Sequence, residues 1–164
     1  MNSRKVALLS LTIALAMILS YVESQIPSAV AIPGVKMGLA NLAVIFTLYK
    51  LGIKEAIVVS IVRVLMLAML FGNAVSLIYS ISGATLALIV MFVLKATNRF
   101  STVGVSVAGG VMHNVGQIIA ACILLETDIL KYYFPFLLVS GIASGIVIGL
   151  VSAALIKRVN VRNE

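Results

Sequence analysis

Tryptophan is absent from the 164 residues, cysteine and histidine occur once each, and proline occurs three times. A single cysteine, Cys122, excludes a disulfide within the chain and reads as a small buried hydrophobe. A single histidine, His113, more than two turns from Cys122, is too little for a metal site. Charge is also scarce, at 10% of residues against about 25% in soluble proteins. Asp128 is the only aspartate, so there is no aspartate cluster to hold a magnesium–diphosphate pair. No Walker A sequence is present, so the chain does not power anything by itself. The apolar runs contain no Ser-His-acid set. These absences leave no catalytic residues, no cofactor and no metal to expect.

What the chain has in excess is apolar surface. Hydrophobic residues make up 62% of it, more than a polar exterior would allow in water. The apolar runs are Val6 to Val22, Gly38 to Tyr49, Ala56 to Gly72, Val75 to Leu94, Thr102 to Leu125 and Phe134 to Ile156. All but the second reach the roughly 17–25 residues needed to cross a bilayer. The first lacks a clear small-residue cleavage site, so we expect a retained helix rather than a leader. The net charge of +7 sits in short connections, which fits membrane topology better than nucleic-acid binding.

The connections define an orientation. With six crossings and the N-terminus inside, Arg4, Lys5, Lys50, Lys54, Lys95, Arg99, Lys157, Arg158 and Arg162 fall inside, and Lys36 and Lys131 outside. Dropping the second crossing either reverses this bias or exports Arg4 and Lys5. The expectation is one all-α domain over residues 1–164, a six-helix transmembrane bundle with both termini cytoplasmic. Tyr21, Phe71, Tyr132, Tyr133 and Phe134 would mark the outer boundary, and Tyr49 and Phe100 the inner one. The prolines Pro27, Pro33 and Pro135 fall in outer connections or at a helix start. The connection from Glu23 to Met37 is equally consistent with a cap over a cavity mouth and with a plain linker.

Few polar side chains lie inside the runs. Arg63 sits near the middle of the third, where a charge costs about 2.5–3.5 kcal/mol. No carboxylate is expected at its depth, which leaves backbone carbonyls, water or an anionic or carbonyl-bearing ligand as partner. His113, Asn114 and Gln117 share an arc of the fifth run and form either a pocket wall or interhelical bonds. Asn41, one turn into the second helix, with Lys36, Ser80 and Ser82, would complete a pocket opening outward. Gly141, Gly145 and Gly149 line one face of the sixth run, and Ala7, Ser10 and Ala14 one face of the first. Such faces let helices pack closely, within the chain or against another subunit.

Several stretches resemble known families. Lys36-Met37-Gly38-Leu39-Ala40-Asn41-Leu42 resembles the second-helix stretch of the substrate-binding S components of energy-coupling-factor (ECF) transporters. Closer still is the Gx transporter family, often labelled heptaprenyl diphosphate synthase component I. The similarity lies in Lys54-Glu55-Ala56, in Arg63 with Phe71-Gly72, in Ser80-Ile81-Ser82-Gly83, and in Gly110-Val111-Met112-His113-Asn114-Val115-Gly116-Gln117. It runs from about Leu11 to Ala153.

The resemblance implies an ECF S-component-like bundle in a bacterial cytoplasmic membrane, with a pocket toward the outer face. Its ligand would be a vitamin- or cofactor-like small molecule, taken up with a transmembrane coupling subunit and ATPases. The coupling motif of that family is Ala-x-x-x-Ala on the first helix, where this chain has Ser10-Leu11-Thr12-Ile13-Ala14. The alternative implied by the synthase label is a non-catalytic membrane component of polyprenyl, quinone or flavin metabolism.

Overall fold

The computed structural model describes residues 3–25, 38–71, 74–126 and 132–159. They form six helices: α1 (Ser3–Gln25), α2 (Asn41–Lys50), α3 (Ile53–Phe71), α4 (Ala74–Ala96), α5 (Thr102–Leu124) and α6 (Phe134–Arg158). No strand occurs among the described residues. Helix is the outcome the composition demands, because a helix satisfies its own backbone where lipid offers no hydrogen bonds. Four helices, α1, α4, α5 and α6, are long and apolar enough to cross a membrane. The third helix has 19 residues but carries Lys54, Glu55 and Arg63. At 10 residues, α2 is about 15 Å long, half of a hydrocarbon core of about 30 Å.

Glycine sets the packing of the tightest layer, α4–α5–α6. A Cβ on Gly83 would lie 2.8 Å from the His113 carbonyl, and one on Gly116 2.6 Å from the Ser82 carbonyl, so α4 and α5 meet backbone to backbone. On the other side of α5, a Cβ on Gly110 would lie 2.6 Å from the Gly141 carbonyl. Cβ atoms on Gly145 and Gly149 would lie 2.6 Å and 2.7 Å from the Cα atoms of Val107 and Val103. The Gly141–Gly145–Gly149 face of α6 therefore lies against α5. Where hydrocarbon surrounds the protein, such close approach is a principal source of association energy.

Short α2 is the most enclosed element. Asn41 and every residue from Ala43 to Leu48 are buried, and α2 touches α1, α3, α5 and α6. Its C-terminal end needs outside help, since the last carbonyls of a helix have no partner within it. Lys95 donates from Nζ to the Leu48 carbonyl at 2.5 Å and lies 5.2 Å from the centre of the Tyr49 ring. A two-residue turn then leads into α3, with Gly52 at φ +113°, a conformation open to glycine and strained for other residues. Ser101 caps α5 by accepting from the Gly104 amide at 3.1 Å.

The first helix is peripheral, touching α2 and α3. Thr12, Ala16, Ser20 and Glu23 form its buried face. Ala7, Ser10 and Ala14 point away from the bundle and are exposed, beside Leu11 at 65% exposure. The helix runs three residues past the expected end at Val22. Glu23 therefore belongs to a helix and not to a connection.

Candidate functional site

A polar cleft lies where α1, α3, α4 and α5 converge, lined by Ser20, Glu23, Arg63, Val64, Leu67, Ser80 and His113. Arg63 projects from the middle of α3 and is only 6% exposed. It donates from Nη2 to Oδ1 of Asn41 at 3.2 Å. Asn41 is itself 3% exposed and is the first residue of α2, not a position one turn inside it. A guanidinium has no acceptor, so this bond fixes the amide, with the oxygen toward Arg63 and Nδ2 turned away. Both Arg63 Nε and Asn41 Nδ2 are buried without an acceptor. A buried donor left in that state costs about 1–3 kcal/mol, so the cleft, which Arg63 lines, favours whatever brings an oxygen to Arg63 Nε, while Asn41 Nδ2 lies toward Gly38.

The expectation that no carboxylate reaches the depth of Arg63 is corrected by Glu23. Extending α1 by one turn places Glu23 in the same cleft, 7% exposed, where its charge attracts the guanidinium. Glu23 Oε1 also accepts from the Gly38 amide. Gly38 has φ +81°, the left-handed conformation that turns its N–H to the end of α1 and that glycine adopts without strain. The carboxylate thus links α1 to the turn that opens α2.

The remaining expected residues separate into groups. His113 faces the cleft and is buried. Gln117, one turn along α5, is buried against Gly83, its Cγ 2.9 Å from where a Cβ there would stand. Asn114 turns the other way and donates from Nδ2 to the Leu137 carbonyl of α6 at 2.8 Å, an interhelical bond and not a wall of the cleft. Ser82 is half-buried at the α4–α5 contact, and Ser80 is the α4 serine that lines the cleft. Lys36, and the connection of which it is part, lie outside the described residues. Arg63, Asn41 and His113 are therefore brought together, joined by Ser20, Ser80 and Glu23.

Glu23 left a signal in the sequence. Thr12, Ala16, Ser20 and Glu23 recur at helical spacing, placing small and polar side chains on one face of an otherwise apolar helix. In lipid that face turns inward, because polar groups there seek protein partners.

Helices of this length and composition around a buried polar cleft define a multi-pass, all-helical membrane protein. The family described as heptaprenyl diphosphate synthase component I matches residues 12–155, and the chain belongs to that family. No curated protein and no solved structure matches the chain.

Proposed function

We propose that this chain is a non-catalytic membrane component of a system linked to polyprenyl or quinone metabolism, and that its cleft holds the polar group of a small lipophilic molecule. The observation that carries this reading is the buried donor Arg63 Nε, without an acceptor in the cleft of a chain from a polyprenyl-synthesis-linked family. The acidic residues point away from catalysis. Glu23, Glu55, Glu126, Asp128 and Glu164 are dispersed along the chain and form no cluster of aspartates for a magnesium–diphosphate substrate. In this reading all six helices cross a bacterial cytoplasmic membrane, α2 being the short second crossing. Both termini are cytoplasmic, as the nine basic residues against two support.

A second reading is a substrate-binding component of a small-molecule uptake transporter, energised by a transmembrane coupling subunit and ATPases. It is favoured by α1, whose Ala7, Ser10 and Ala14 lie on the face turned away from the bundle, where another membrane subunit would find a small-residue surface.

Native mass spectrometry of the protein purified from its own membrane in mild detergent tests the proposal. A retained small molecule, lost from Arg63→Ala and Asn41→Ala variants that keep their helical circular dichroism, is the expected result. A bare protein that co-purifies with another membrane subunit, with both variants unaffected, would sink it and leave the polar residues as interhelical bonds.

A further inference from the structure

The cleft is charge-balanced, and its unmet need is for a neutral acceptor. Arg63 and Glu23 line the same space with opposite charges. A bound anion would leave one net negative charge in a poorly solvated site, which is strongly unfavourable without a further partner. His113 is the only other titratable side chain among the lining residues.

Within the cleft, Arg63 Nε nevertheless still lacks an acceptor. The room between the walls suits about one or two water molecules, enough for one inserted oxygen of a ligand whose bulk stays outside it. Val64 and Leu67 supply apolar wall beside the Arg63 donor, the mixture that orients a largely apolar ligand by a few polar contacts.

We infer that the cleft takes the carbonyl oxygen of an uncharged lipophilic molecule, of which a quinone is the type. Arg63 Nε is its donor, Asn41 holds the guanidinium in place through Oδ1, and Glu23 is the resident counter-charge that turns anions away. This rests on the reading that the cleft binds a small molecule, and it narrows that molecule to one chemical class.

The test uses two probes with the same ten-carbon tail, a decyl-substituted benzoquinone and decyl phosphate. Each is titrated calorimetrically into the full chain in detergent. The expected result is that the wild type binds the quinone at least about ten-fold more tightly. Glu23→Gln should shift that preference toward the phosphate by about ten-fold or more. Where Glu23→Gln does not give a monodisperse folded protein, Asn41→Leu replaces it and should weaken the quinone while leaving the weak phosphate binding as it was.

Tighter binding of the phosphate by the wild type overturns the inference but keeps a ligand-binding cleft. A quinone preference that neither variant moves also overturns it, since the held Arg63 donor and the counter-charge would then not be what selects. Binding of neither probe removes the ligand-binding reading and the inference with it.

Discussion

Glu23 and Arg63 should be worth far more together than apart, and a double-mutant cycle measures how much. Both side chains are at least nine-tenths buried in a cleft with little water. Arg63→Met leaves the Glu23 carboxylate with the Gly38 amide and no arginine or lysine among the described residues lining the cleft, while Glu23→Gln leaves the guanidinium with Asn41 alone among the described partners. Removing one member of a buried pair costs about 3–5 kcal/mol, because the other charge stays behind uncompensated. At about 2–4 °C per kcal/mol for a chain of this size, each single variant should melt about 6–20 °C below the wild type. The double variant buries no net charge and should recover most of that loss. Thermal unfolding of the four proteins in one detergent, followed by circular dichroism at 222 nm, gives the cycle. Losses that add to within about 0.5 kcal/mol would refute the reasoning, since additivity is the behaviour of sites that do not interact.

Two further predictions concern packing. Gly145→Leu should abolish the folded protein, because even its Cβ would stand 2.6 Å from the Val107 Cα, whereas Gly104→Ala meets ordinary contacts, the nearest at 3.6 Å, and should be neutral or slightly stabilising; folded yield on size-exclusion chromatography separates the two. Lys95→Met should lower stability by about 1.5–3 kcal/mol, the worth of a hydrogen bond from a charged donor, and an unchanged melting temperature would mean that the Leu48 carbonyl is satisfied in another way.

The helices were largely legible before any coordinates, because a bilayer asks for one conspicuous property: an apolar run of the right length. The expected start of α5 at Thr102 and of α6 at Phe134 coincides with the observed helices, and the remaining ends move by a few residues. Arg63 was equally legible, since a guanidinium inside such a run is costly enough to stand out. The acidic residue that answers it was not. Glu23 lies where hydropathy falls, and hydropathy cannot distinguish a final helical turn from the start of a connection. Side-chain direction was the other gap. His113 and Asn114 are neighbours on α5, yet one faces the cleft and the other bonds to α6, because about 100° of helical rotation separates them and only the placement of α4 and α6 says which way each points. On α1, the face named from the sequence, Ala7–Ser10–Ala14, is exposed, and the buried face of Thr12, Ala16, Ser20 and Glu23 is the one passed over.

The brevity of α2 also bears on how the protein is made. A stretch of about 10 apolar residues is too short to be held in a bilayer as an independent crossing, and lipid cannot supply the partners that its carbonyls find at Lys95. On the proposed six-crossing reading, its place in the membrane is secured by the helices that enclose it, and three of these, α3, α5 and α6, emerge later from the ribosome. On that reading, insertion of α2 is a collective event completed only when the last helix has arrived. A chain truncated after α4 should leave this segment exposed to quality-control proteases even though α1 and α4 are each long enough to stay in the membrane.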